Sequence, residues 1–132
     1  MKKRLFILLG VFLFFLLLVM GGIVFFQSMQ KGIDDLIAME IEDIDLSNLE
    51  DGEYVGTYQQ LPVNVEVIVT IYQHNITHIE ITKHFNGQGK GAEIIIEDII
   101  TQDTIIIDTI AGATVSSKCI LLAVKDALTI KG

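Results

Sequence analysis

Val63-Asn64-Val65-Glu66-Val67-Ile68-Val69-Thr70-Ile71-Tyr72 is the stretch that decides the fold. Val63, Val65, Val67, Val69 and Ile71 alternate with Asn64, Glu66, Ile68, Thr70 and Tyr72. Successive side chains of a strand point to opposite faces, so this alternation marks a half-buried strand with one apolar side. Such strands belong to antiparallel sheets covered on one face. Gln73-His74-Asn75 then reads as a tight turn, and Ile79, Ile81 and Lys83 alternate with His78, Glu80 and Thr82 as a third strand, pairing as a hairpin. Upstream, Asp51-Gly52 is a turn signal where the folded domain should begin. Tyr54, Gly56 and Tyr58 occupy alternate positions of a first strand. Pro62 is the sole proline. Asn75-Ile76-Thr77 matches a glycosylation sequon but reads more simply as a turn asparagine followed by a strand threonine.

Downstream of the sheet the pattern changes. His84 to Gly91 is a flexible loop carrying Gly87, Gly89 and Gly91. Ala92, Ile95, Ile96, Ile99 and Ile100 fall on one face of a helix. Thr104 to Ile107 reads as a short buried strand, and Asp108 to Thr114 as a loop. A last helix is expected from about Val115 to Thr129, with Ile120, Leu121, Val124 and Leu128 on its apolar face. The class is α+β: an N-terminal transmembrane helix, then a small antiparallel sheet packed with two helices.

The chain has 132 residues, room for one domain. Leu5 to Phe26 carries no charge, and at about 1.5 Å per residue a helix of that run crosses a hydrocarbon core of roughly 30 Å. A cleavable signal has a shorter apolar region and a small-residue cleavage site, and Phe25-Phe26-Gln27-Ser28-Met29-Gln30 offers none. An uncleaved anchor is the better reading. The expected organisation is a cytoplasmic basic end and anchor over residues 1–26, a stalk or linker over 27–50, and a folded domain over 51–132. Between anchor and domain, Ile33 to Ile41 reads as a short helix or stalk and Asp43 to Asp51 as a linker. Lys2, Lys3 and Arg4 precede the span, so the N-terminus should be cytoplasmic and the domain extracytoplasmic. All 17 acidic residues follow the span, which speaks against nucleic acid as a partner. The single Cys119 can form no internal disulfide and no multi-cysteine metal site; it reads as a small packing residue. His74, His78 and His84 fit no metal-ligand spacing, so no metal is expected.

The chemistry should lie in Ala111-Gly112-Ala113-Thr114-Val115-Ser116-Ser117. Small side chains let a ligand approach the backbone, and the first turn of a helix offers unpaired N–H groups and a positive dipole end suited to phosphate. Thr114, Ser116 and Ser117 add hydroxyls there. On the residues alone, the plainer reading is that Thr114 or Ser116 caps the helix.

The surroundings point further. Asp108 to Ser117 resembles the flavinylation motif of FMN-binding-domain proteins, a family that includes the peripheral flavin subunits of the sodium-translocating NADH:quinone oxidoreductase and of the Rnf complex. That motif runs Asp-x-x-Ser/Thr-Gly-Ala-Thr and is followed closely by Ser or Thr. The chain matches at Asp108, Gly112, Ala113, Thr114, Ser116 and Ser117, and departs at Ala111. Asp51-Gly52-Glu53-Tyr54 with Gly56, His84 with Asn86-Gly87-Gln88-Gly89, and Ile120 to Leu128 also resemble the family, so the likeness covers about residues 51–129.

The resemblance implies FMN held covalently, through a phosphoester to Thr114. It implies an ApbE-type flavin transferase that makes the link from FAD with magnesium. Asp108 would serve motif recognition. His84, Gly87 and Gly89 would border the flavin ring. The expected role is an electron-transfer module between a membrane-bound donor and an extracellular acceptor, with no catalytic residues of its own. The competing expectations are a flavin-dependent reductase of a small extracellular acceptor and a non-redox binding module on a membrane stalk.

Overall fold

The computed structural model describes residues 1–85 and 89–129. The chain divides into two compact units, Met1–Asp34 and Asp35–Gly132.

The first unit is helical. Helix α1 spans Lys2–Ala38, 37 residues in all. Leu, Ile, Val and Phe surround the helix on every side between Leu5 and Phe26. Its most apolar window has a mean hydropathy of 3.0 and is 0% buried. It is therefore long and apolar enough to cross a membrane, which is consistent with single-pass anchoring. The short helix or stalk expected from Ile33 to Ile41 is helical as far as Ala38, where it is the end of α1.

The second unit is an α+β domain. Strands β1 (Gly52–Gln60), β2 (Val63–Tyr72) and β3 (Asn75–Phe85) form an antiparallel sheet in the order β1-β2-β3. The β1–β2 connection is Leu61-Pro62, whose peptide bond is cis. At the other hairpin, Gln73 and His74 both adopt positive φ, 51° and 63°, the combination of a primed two-residue turn that follows sheet twist. Helix α2 spans Ile95–Gln102 and helix α3 Thr114–Leu128, and a 3-10 helix at Gly89–Ile94 leads into α2.

One face of the sheet is covered by helix. In β2, Val63, Val65, Val67, Val69 and Ile71 are all buried, as their alternation requires. They meet Ile95 and Ile99 of α2 and Cys119, Ile120, Ala123, Val124 and Leu128 of α3 in one core. Helix α3 lies on β1 so closely that Gly56 is obligatory there. A Cβ at Gly56 would overlap the Ala123 carbonyl oxygen and the Ala127 amide nitrogen, and would stand 2.7 Å from the Ala127 Cβ. Asp126 of α3 also accepts from the Thr57 backbone N–H at 2.9 Å, an amide on the outer edge of β1.

Other features depart from the sequence reading. Strand β3 does not alternate strictly. Its register against β2 shifts twice, leaving Thr77 and Thr82 as the extra residues. Each extra threonine donates its hydroxyl across to β2, Thr77 to the Thr70 carbonyl at 3.2 Å and Thr82 to the Glu66 carboxylate at 2.7 Å. The second shift turns Lys83 outward and His84 inward, so Lys83 does not share the apolar face of Ile79 and Ile81.

The stretch Thr104 to Ile107 forms no strand. Ile105 is buried, but Asp103 ends α2 in the left-handed conformation at φ 52°, and the chain then runs irregularly to Ala113. The Asp103 side chain braces the sheet instead, accepting from the Ile76 amide at 2.7 Å.

The linker is packed. Leu36 and Leu49 are 2% and 4% exposed, and Ile41, Ile44 and Leu46 lie against the core. Asp45 accepts from the Ser47 amide at 3.0 Å and starts a 3-10 turn at Leu46–Asn48. Asp51 accepts from the Gln73 amide at 2.7 Å, tying the linker's end to the β2–β3 turn. The compact unit therefore starts upstream of residue 51, because this segment carries apolar side chains that the domain buries.

Candidate functional site

The site is built at the junction of loop and helix. Asp108 to Ala113 leads into α3, whose first residue is Thr114. Gly112 takes φ +80°, a conformation that suits glycine, and open space lies where a Cβ would stand. Ala111 and Gly112 are exposed, so a ligand can reach the backbone here.

The N-cap of α3 is Ala113, and no side chain caps the helix. The helix-cap reading of Thr114 or Ser116 is therefore not what the structure contains. Thr114 is half-buried, and its hydroxyl makes no hydrogen bond among the described residues. The first in-helix acceptor is the Ala113 carbonyl, reached by the Ser117 N–H at 2.9 Å. The N–H groups of Thr114, Val115 and Ser116 thus precede the helical ladder and face its positive end. No acidic residue lies in that first turn. The arrangement is a free hydroxyl beside unpaired amides, with nothing negative on the turn.

Ser117 does different work. It is fully buried. Its hydroxyl donates to the Ala113 carbonyl at 2.8 Å and accepts from the Ile110 amide at 3.0 Å. Ala113 N–H closes the same turn onto the Ile110 carbonyl at 2.9 Å. Ser117 is thus engaged at both ends in shaping the loop. Ser116 is 3% exposed and sits in the core side of the turn. Of the three hydroxyls, Thr114 is the one that a partner reaches from solvent.

Asp108 is exposed and lines a shallow cleft with Asp98, Gln102, Thr109 and Ala111. His84, turned inward by the second irregularity in β3, keeps only 3% of its side chain exposed. Its Nδ1 lies 2.9 Å from Glu93 Oε1 on the 3-10 helix Gly89–Ile94. Strand register shows where this pair sits. His84 is opposite Val65, and Tyr58 is opposite Val65 on the other side. Cys119 in the first half of α3 takes a hydrogen bond from the Gln60 backbone and lies close enough to Tyr58 to act on its hydroxyl electrostatically. His84 and the start of α3 therefore lie toward the same end of the sheet. Gly89 belongs to the 3-10 helix. Gly87, with Asn86 and Gln88, lies outside the described residues.

Two side chains escaped the sequence reading. Glu93 could have been found as a carboxylate closely following a histidine across a glycine-rich loop. Asp43, whose carboxylate accepts from Thr104 and Ile105, had no local signal because 61 residues separate it from Thr104.

The residues present fit a phosphate-bearing group: an open backbone at Gly112, a free hydroxyl at Thr114 and first-turn amides. A family model described as FMN-binding domain matches residues 61–129, just over half of the chain and all of this loop and helix. Comparison with curated proteins and with solved structures gave no match.

Proposed function

The chain belongs to the FMN-binding domain family, and from that premise we propose that it is a membrane-anchored extracytoplasmic electron carrier, with FMN joined by a phosphoester to Thr114. It is a flavin-binding module by family, and the proposal adds the linkage, the role and the side of the membrane. The observation that carries it is the Thr114 hydroxyl. It stands uncommitted at the head of α3, among amides that precede the helical ladder.

A neutral threonine hydroxyl is a poor nucleophile and needs an activating enzyme. An ApbE-type transferase with magnesium fills that role. Thr114 Oγ1 would take the flavin-side phosphorus of FAD, the pyrophosphate bond breaking with AMP as the leaving group and the hydroxyl proton going to the transferase. Once attached, the group supplies reversible redox chemistry to a site that has none of its own.

The chain's residues hold and orient. The N–H groups at the start of α3 would hold the phosphate, and the helix dipole would favour its charge. Gly112 leaves the approach open, and Ser117 keeps the loop in shape. Asp108, exposed on the same loop, is assigned to recognition by the transferase. His84, Gly87 and Gly89 are assigned to the border of the ring. The basic residues Lys2, Lys3 and Arg4, in the first turn of α1 ahead of its apolar run, favour a cytoplasmic N-terminus, leaving the domain outside, between a membrane-bound donor and an extracellular acceptor.

A reductase reading needs a proton donor facing substrate. His84 is 3% exposed and held against Glu93, which supports a carrier over a reductase.

The test is to co-express the full chain with a flavin transferase and measure intact mass and in-gel fluorescence after denaturation. The expected result is one added FMN on the wild type and none on Thr114→Ala, with the variant folded. Fluorescence that survives in Thr114→Ala would place the link elsewhere.

A further inference from the structure

Between α2 and α3 the chain runs irregularly, and this segment must present both Asp108 and Thr114. An extended segment outside any sheet ladder has to find other partners for its amides. Here a carboxylate distant in sequence serves the upstream end of the segment. Asp43 Oδ2 accepts from the Thr104 hydroxyl at 2.6 Å, and Asp43 Oδ1 accepts from the Ile105 amide at 3.3 Å. The Thr104 oxygen in turn accepts from the Ile106 amide at 3.0 Å. Asp43 thus orders the backbone just upstream of Asp108, directly at one residue and through Thr104 at the next.

The segment carrying Asp43 is itself fixed. Asp43 Oδ1 also accepts from the Ile44 amide at 3.0 Å, which sets the side chain's direction. Ile41 and Ile44 pack against the core. Lys118, one turn after Thr114 on the same face of α3, donates to the Met39 carbonyl. The strap from Met39 to Asp43 is therefore held by α3 at one end, and holds the loop into α3 at the other.

We infer that Asp43 is a positioning residue of the flavin-attachment site, clamping the upstream end of the loop as Ser117 clamps its downstream end. The inference rests on the reading of Thr114 as the attachment point. Asp43 makes no bond to the Thr114 hydroxyl; it acts by keeping Thr104–Ala113 in one conformation, so that the transferase meets a preformed loop. Losing an acceptor that serves several donors frees those groups to exchange and the loop to wander.

The experiment uses the full-length chain, purified without flavin in detergent, with a flavin transferase, FAD and magnesium. Two quantities are read: the initial rate of covalent flavin incorporation, and amide hydrogen exchange of the unloaded protein. Asp43→Ala should load at least about tenfold more slowly, the scale of one lost hydrogen bond to a charged group. Exchange should speed at Ile105 and Ile106 and on through Ile110 and Ala113, while the amides of β2 keep their protection. Asp43→Asn retains an oxygen acceptor and should recover most of the loading rate. The inference is overturned if Asp43→Ala loads at the wild-type rate. It is also overturned if exchange rises at Ile105 and Ile106 while Ile110 and Ala113 stay protected. A wild type that accepts no flavin would instead overturn the Thr114 reading, and the exchange measurement would still decide the clamp.

Discussion

Cys119 is 0% exposed, and burial pushes its thiol up to about 11 from an ordinary value of 9.0, the Gln60 backbone N–H pulling weakly the other way. Burial raises Tyr58 as well, and the neighbouring thiol adds to it. The thiolate is the reactive form of cysteine, so this thiol is inert at neutral pH and serves packing, as its place on an apolar helix face suggests. The folded state holds the proton more tightly than the unfolded chain. Stability from this group is therefore intact below about pH 9 and lost as pH rises toward about 11. The expected loss across that window is about 2 kcal/mol. Urea unfolding of the wild type and Cys119→Ala at pH 8 and pH 10.5 checks it. The wild type should lose more stability than the variant between the two conditions; equal losses would mean the thiol does not titrate in this range.

Helix α3 and strand β1 meet at Gly56, and the meeting makes a second prediction. A methyl group there overlaps backbone atoms of Ala123 and Ala127, which cannot swing aside as a flexible side chain would. Gly56→Ala should cost about 3 kcal/mol, the upper part of the range for overpacking, and should loosen α3 as a whole. Chemical denaturation measures it, and a cost below about 1 kcal/mol would show that the helix shifts freely. The same element scale shows what could be read from the sequence. The alternation in β2 and the helical spacing in α3 were legible because each is a local period that burial enforces over many residues. The irregular register of β3 was not. An extra residue breaks period two without leaving a mark in composition, so Lys83 looked inward when His84 is. Ile105 looked like a strand residue because burial selects the same apolar types with or without a ladder. At the site, the motif singled out Thr114 and Gly112. The use of Ser117 depended on which way its hydroxyl turns, and that follows from a loop no local pattern describes.

Across the whole molecule, the matched span and the folding unit differ, and the difference has a measurable consequence. The family match begins at residue 61, inside the β1–β2 hairpin. The compact unit begins at Asp35. Between those points lie Leu36 and Leu49, both buried, and Ile41, Ile44 and Leu46 against the core. The polar ties are there too: Asp43 to Thr104 and Ile105, and the Leu46 and Leu49 carbonyls, which lie 3.3 and 3.1 Å from His74 Nδ1. Truncating one buried leucine to alanine costs about 2–5 kcal/mol, and a domain of this size is stable by only about 5–15 kcal/mol. Removing the segment takes away both leucines and exposes the surfaces they cover. A chain starting at Asp35 should therefore unfold cooperatively in urea, whereas one starting at Gly52 should show no cooperative transition, although it retains the entire family match and every strand and helix of the sheet domain. If the shorter chain unfolds cooperatively with a similar midpoint, the juxtamembrane strap is an appendage. If it does not, the strap is part of the domain, and the conformation of the loop that presents Thr114 depends on residues that precede the first strand.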